Sequence, residues 1–260
     1  MNTGITESGT FFVYNKKNQI SPMVFIHGVG LTHEIWQPQL EFFKDYSNLS
    51  YDILGHGKSS LNKEKISFDD FSDQLIELLN ELKIDKIHLI GFSIGSLIAR
   101  NFATKFNDRL KSLILLGSIY KRSEEQQKIV NSRFDQAKKE LKLSKQALKR
   151  WFTDEYLEKN PKTYEKISLI LSSNNMSNFL KVYELFVKHK NDEDFEKIKV
   201  NTLIMTGEYD VGSTVEMSEE LNKIIKNSEI KIIKDGKHLC GIECADDVNL
   251  TIKNFVSKNV

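Results

Sequence analysis

The chain has 260 residues, 40% apolar and 28% charged, an ordinary globular mix long enough to bury a core without metal or disulfide staples. Lys plus Arg total 37 against 36 Asp plus Glu, a net charge of +1, which supplies no electrostatic footprint for nucleic acid or an anionic membrane surface. Its two cysteines, Cys240 and Cys244, exclude a disulfide framework and a complete thiolate metal site.

Residues 1–20 lack the basic start and unbroken apolar stretch of a secretory leader. No run approaches the roughly 18 apolar residues of a membrane span, so the expectation is a soluble, cytoplasmic protein. The run MVFIHG, Met23 to Gly28, predicts a strand ending in a Gly-rich turn. A helix pattern carrying Ile35, Trp36, Leu40 and Phe43 follows, then a weaker strand, Asn48 to Ile53, ending in LGHGKSS. Ser67 to Leu82 opens with an S-x-x-D capping pattern, and Phe71, Leu75, Leu78, Leu79 and Leu82 recur at helical spacing. KIHLIGFS predicts a strand, Ile94 to Phe106 a helix, and LKSLILLGS another strand.

After Ser118 the pattern changes. From Ile119 to Lys199 there is no strand signal and no glycine. Val130, Phe134, Ala137 and Leu141 form one helical stripe, and Met176, Leu180, Tyr183 and Val187 another; both read as helix packing. This segment holds 18 Lys/Arg against 13 Asp/Glu, and Ile119 to Arg150 alone holds 10 against 4. A solvated basic face is the ordinary account of such a run. The sharper one is attraction of an anionic substrate toward a cleft. Strand signals return with Val200 to Asp210, followed by a helix pattern through Ile225, the strand EIKIIKDGKH and a final helix. Such alternation predicts an α/β fold: a mostly parallel central sheet with helices on both faces. Residues 1–118 and 200–260 would form its core, and 119–199 an inserted all-helical cap.

The segment carrying chemistry is Gly91-Phe92-Ser93-Ile94-Gly95. A G-x-S-x-G turn between a strand and a helix is a nucleophile elbow, in which a strained serine is exposed at the helix N-terminus. A serine hydroxyl needs a base, itself oriented by an acid. Asp210 and His238 each follow a later strand in a short Gly-containing loop, in the order serine, acid, histidine. After LKSLILLGS the next carboxylates, Glu124 and Glu125, fall inside a helix pattern, which leaves Asp210 as the candidate acid. The backbone N–H groups of Ile94 and Val29 are the candidate oxyanion donors. Trp36 and Phe92 are candidates to line an acyl pocket, with core packing equally open. His27 and His56, in Gly-rich loops, read as structural. No paired-histidine spacing supports a metal site, and no cofactor is expected.

HGVG at 27–30, YDILGHGKSS at 51–60, GFSIGS at 91–96, GEYD at 207–210 and GKH at 236–238 together resemble the α/β-hydrolase superfamily. The resemblance runs along essentially the whole chain outside the cap. The motifs are nearest to the enol-lactonase and small carboxylesterase groups, many of which carry a glycine where this chain has Ser96. The resemblance implies a cofactor-independent serine hydrolase that cleaves a small-molecule ester, lactone or related acyl compound through an acyl-enzyme, with a Ser93–His238–Asp210 triad and a cap that sets substrate choice. In the same superfamily such a triad also serves acyl transfer, C–C bond hydrolysis and lyase steps, and the fold also carries low-turnover ligand-binding proteins. Serine at the elbow argues against dehalogenase or epoxide-hydrolase chemistry, which uses aspartate there.

Overall fold

Near-continuous apolar runs dictate the middle of the molecule, because a strand buried on both faces has no room for alternating polar residues. The computed structural model describes residues 2–17, 21–140 and 146–259. Its strands are β1 (Asn2–Ile5), β2 (Phe11–Asn15), β3 (Met23–Ile26), β4 (Asn48–Tyr51), β5 (Ile87–Phe92), β6 (Leu110–Leu116), β7 (Thr202–Gly207) and β8 (Ser228–Ile233). They form one sheet in the order β1-β2-β4-β3-β5-β6-β7-β8. The pairs β1/β2 and β2/β4 are antiparallel, and the other pairs are parallel. Every residue of β3, β5 and β7 is buried. By contrast β8, at one edge, carries exposed Glu229 and Lys231, charges that discourage pairing with another chain.

The helices are α1 (Gln37–Phe42), α2 (Phe68–Glu81), α3 (Ile94–Lys105), α4 (Glu124–Glu140), α5 (Gln146–Trp151), α6 (Asp154–Lys159), α7 (Pro161–Ser172), α8 (Met176–Val187), α9 (Val215–Ile224), α10 (Cys240–Glu243) and α11 (Ala245–Ser257). The two-residue period of each strand sorts its side chains between two cores. Val24, Ile26, Leu89, Leu113 and Leu115 face α2, α3 and α9, where they meet Leu75, Leu97 and Leu221. Met23, Phe25, Ile90, Ile114 and Leu116 face the other way and meet Trp36, Val248 and Ile252. Ser67 caps α2 reciprocally with Asp70, as the capping pattern predicts. No helix among the described residues is long and apolar enough to cross a membrane.

Two features differ from the sequence reading. The strands β1 and β2 were not predicted: exposed Asn2–Ile5 has no apolar alternation, and its pairing depends on β2 being held against β4. The final helix is broken at Cys244 into α10 and α11. Both thiols are free, Cys240 buried and Cys244 partly so, and burial pushes both above the ordinary thiol value.

Helices α4 to α8 all lie between β6 and β7. The two predicted stripes meet where Val130 and Phe134 of α4 pack against Val187 and Tyr183 of α8; Leu141 lies outside the described residues. Both ends of this helical segment are tied to α3 by one side chain. The guanidinium of the fully buried Arg100 donates to Ile119 O at 2.8 Å and to Ser118 Oγ at 3.3 Å. It also donates to Asn191 at 3.3 Å and pairs with Glu193. Breaking a buried pair strands the remaining charge, at about 3–5 kcal/mol. Arg100→Leu is therefore expected to lose about that much in urea unfolding, and Arg100→Leu with Glu193→Leu to lose less than the single variant.

Candidate active site

Ser93 occupies the turn from β5 into α3 with φ +56° and ψ −120°, a conformation that costs on the order of 1–3 kcal/mol. The turn admits no Cβ on either flank. One on Gly91 would fall 2.2 Å from Gly95 O, and one on Gly95 would fall 2.4 Å from Ile26 O. The strained residue is held from its neighbours: Ser93 N–H donates to Leu116 O at 3.0 Å, and Ser96 Oγ donates to Ser93 O at 2.5 Å. Serine at 96 thus adds a hydrogen bond that glycine lacks.

Asp210 and His238, on the loops after β7 and β8, come together with Ser93. His238 Nε2 lies 3.2 Å from Ser93 Oγ, and Nδ1 lies 2.6 Å from Asp210 Oδ2. A proton on Nδ1 satisfies the carboxylate and leaves Nε2 to accept from the serine hydroxyl. The other Asp210 oxygen accepts from the N–H groups of Gly212 at 2.8 Å and Ser213 at 3.0 Å. The turn-forming role of an aspartate and the contact to histidine are both present, one on each oxygen. The histidine loop is fixed by the helical segment between β6 and β7. Leu239 N–H donates to Trp151 O at 2.9 Å, while Glu243 accepts from Thr153 N–H at 2.9 Å and Lys237 N–H at 3.2 Å.

Ile94 is the first residue of α3, so its N–H has no preceding turn to bond. The loop 27–30 lies beside it: a methyl group on Gly28 would reach 3.3 Å from Ser93 Cβ. Val29 N–H meets no acceptor among the described residues. Two buried histidines hold this loop. His56 Nε2 accepts from Gly30 N–H at 2.8 Å, and His27 Nε2 accepts from Ile53 N–H at 3.1 Å, with Nδ1 2.8 Å from Gly28 O. Accepting at Nε2 requires neutral rings, and burial lowers His27 to about 4 and His56 to about 3.

A cavity of about 560 Å³ opens over Ser93 and His238. Trp36 and Phe92 do not line it, contrary to one of the two sequence readings. Both are buried in the core beneath, with Trp36 5.0 Å from the Phe25 ring and edge-on to Phe92. Strand alternation sends Phe92 into the lower core, where its ring lies 4.8 Å from that of His238. The upper walls are Trp151, Phe179, Tyr183 and Phe186, with Arg122, Arg133 and Arg150. Sequence reasoning assigned none of these to the site. Tyr183, in a helical stripe, read as packing, and only the local excess of basic residues pointed to the arginines. No group of three metal-ligating side chains occurs among the described residues.

With this fold and these motifs, the chain belongs to the alpha/beta hydrolase fold family, whose pattern matches residues 21–243. It is 30% identical over 246 residues to the (E)-2-((N-methylformamido)methylene)succinate hydrolase of Acinetobacter baylyi, covering 94% of this chain and 93% of that one. It is 25% identical to 3-oxoadipate enol-lactonase 2 of the same organism, covering 91% and 88% of the two chains. Among solved structures, the enol-lactonase from Burkholderia xenovorans LB400 superposes with a TM-score of 0.89 at 23% identity, covering 98% of this chain and 100% of the other. The malate-bound thermophilic esterase from Thermogutta terrifontis reaches 0.85 at 23% identity, covering 98% and 96%. The motif resemblance to the enol-lactonase groups holds, and the class is a hydrolase of a small molecule.

The loop-holding histidines make stability depend on pH. Their ordinary value is 6.5, and in the folded protein they stand at about 4 and about 3, so on acidification the unfolded chain takes up protons first. Stability is complete above pH 6.5 and falls as pH drops toward the folded values, by about 2 kcal/mol per histidine at pH 5. Buried His88, lowered to about 4, adds in the same direction. Urea midpoints are expected to match at pH 7.5 and 8.5 and to drop sharply by pH 5.

Proposed function

We propose that this chain is a serine hydrolase that cleaves a carboxylic ester or lactone through an acyl-enzyme on Ser93. The observation that carries the reading is the continuous contact from Ser93 Oγ through His238 to Asp210 beneath the cavity. Ser93 Oγ attacks the substrate carbonyl while His238 Nε2 takes its proton. Asp210 holds the imidazole in the required tautomer and stabilises the imidazolium. Val29 and Ile94 N–H groups receive the developing oxyanion, a pair worth on the order of 100- to 1,000-fold in rate per donor. His238 returns the proton to the departing alkoxide, which in a lactone stays attached to the acyl group. It then deprotonates a water whose attack on the acyl-enzyme releases the acid and regenerates Ser93. No step calls on a cofactor or a metal. Residues 119–199 serve as the cap over the cavity, and a cytoplasmic location is consistent with two free thiols.

A second reading keeps the same residues but changes the bond cleaved. It is favoured by the relative whose named substrate is a methylformamido-methylene succinate rather than an ester or a lactone. Product analysis separates the two.

Intact-mass labelling with a fluorophosphonate, beside hydrolysis of short-chain aryl esters, tests the nucleophile. Wild type is expected to gain one adduct and turn over ester. Ser93→Ala is expected to gain none and to lose about 10⁴- to 10⁶-fold in kcat. Absence of both labelling and turnover in wild type would overturn the reading.

A further inference from the structure

Three arginines face the cavity that holds Ser93 and His238: Arg122, Arg133 and Arg150. The carboxylate among the described lining residues, Asp210, is already engaged through both oxygens. Several lysines of the same helical segment do have acidic partners. Lys138, Lys159 and Lys188 each pair with an acid three or four residues away, and Lys166 pairs with Glu34. No ion pair neutralises Arg122, Arg133 or Arg150 among the described residues.

Nor is this a solvated basic face. All three arginines are only half-exposed, and burial lowers both Arg122 and Arg150. Arg122, lowered to about 10, is still cationic at neutral pH. The charge of Arg133 further disfavours that of Arg150, and the Tyr183 phenol sits within the fields of all three guanidinium groups. Arg122 is fixed in place. Its Nη1 donates to the carbonyls of Phe186 at 3.2 Å and Val187 at 3.3 Å, its guanidinium lies 4.5 Å over the Phe186 ring, and its buried Nη2 has no acceptor. Like charges gathered without a counter-charge, one with an unused buried donor, cost stability. A ligand that supplies the missing negative charge removes that cost.

We propose that the cap end of the cavity is a subsite for a doubly negative oxygen group, two carboxylates or one phosphate, joined by a short apolar spacer to the carbonyl attacked by Ser93. The planar guanidinium fork matches either anion in bidentate geometry. Phe179 and Val29, which also line the cavity, supply the apolar stretch between the two ends. Treating the anion as part of a substrate rests on the serine hydrolase reading, whereas the anion site itself does not.

The test titrates the whole protein with succinate, glutarate, adipate and inorganic phosphate, with butyrate and glutaramide as monoanionic and neutral controls. Fluorescence of Trp151, which lines the cavity, reports binding, with calorimetry beside it. At least one dianion is expected to bind tenfold or more tighter than butyrate, and to weaken tenfold or more in Arg133→Gln and Arg150→Gln. Arg150→Lys is expected to retain part of the affinity. A dicarboxylate binding tightest identifies a dicarboxylic substrate, and phosphate binding tightest a phosphorylated one. Both glutamine variants are expected to melt no lower than wild type, because each relieves repulsion. Dianions binding no better than butyrate, binding unchanged in the variants, or variants melting well below wild type would each overturn the subsite. If dianions bind as expected but the protein neither labels with fluorophosphonate nor cleaves aryl esters, the hydrolase reading fails and the anion site stands.

The kinetic arm compares aryl esters whose acyl chains end in a methyl group, two carboxylates or a phosphonate. The ratio of kcat/KM for the matching dianionic ester to that for the neutral ester is expected to fall at least tenfold in Arg150→Gln. An unchanged ratio would overturn the substrate assignment.

Discussion

Backbone packed against backbone at the β5–α3 turn is the constraint on which the site depends. With no Cβ at Gly91 or Gly95, α3 begins close enough to meet the carbonyl of Ile26 on β3, while Leu116 O of β6 takes the N–H of Ser93. The unfavourable φ of Ser93 is therefore held from both neighbouring strands, which is possible only because β5 is central. It is also where the sheet order reverses, with β3 and β4 built out to one side and β6, β7 and β8 to the other. In a parallel α/β sheet such a reversal opens a crevice at the C-terminal strand ends. The 27–30 loop and Ser93 follow the C-terminal ends of β3 and β5, which border it, and Asp210 and His238 follow those of β7 and β8 at the same end of the sheet.

Loops that carry the proposed reacting groups need fixing by something other than a ladder, and here buried polar side chains do it. His27 and His56 bind the 27–30 loop to the 52–57 segment. Beneath them Asp52 accepts from His33 and from Lys58 N–H, and Gln74 of α2 bonds Asp52 O and Leu54 N–H. Each group has a partner, so the network rigidifies the loop without leaving an orphan in the core. The YDILGHGKSS motif thus acts at one remove. It holds the backbone that presents Val29, and takes no part in the proposed chemistry itself.

What the sequence disclosed follows the range over which each signal is decided. The elbow, the α2 capping box and the order serine, aspartate, histidine rest on local backbone chemistry and strand sequence, and all were legible. The N-terminal strand β1 was not, since four exposed residues including a glycine carry no alternation and gain their conformation from pairing with β2. Phe92 was half legible: its place beside Ser93 was plain, but alternation along β5 turns it into the core while the turn exposes its neighbour. The arginines were visible as a count and not as a site. Their convergence requires α4 packed on α8 through Val130, Phe134 and Val187, with α5 alongside, and no local pattern encodes that arrangement.

The helical segment is referenced to the elbow through a single element. Arg100 lies six residues beyond Ile94, about 9 Å along α3, and binds Ile119 O where the segment leaves β6 and Glu193 where it returns toward β7. Asn174, in the turn between α7 and α8, donates to Gly30 O at 2.8 Å, and Trp151 O takes the N–H beside His238. These attachments tie the segment to α3, to the loop carrying Val29 and to the loop carrying His238. The arginine-bearing walls are thereby located relative to the serine by hydrogen bonds rather than by apolar contact alone. Apolar contacts tolerate sliding, whereas directional bonds at both ends fix the span between two points. The proposed subsite, set at a distance from Ser93, needs that fixed span, and the buried Arg100–Glu193 pair contributes to it at a position where neither partner meets the cavity.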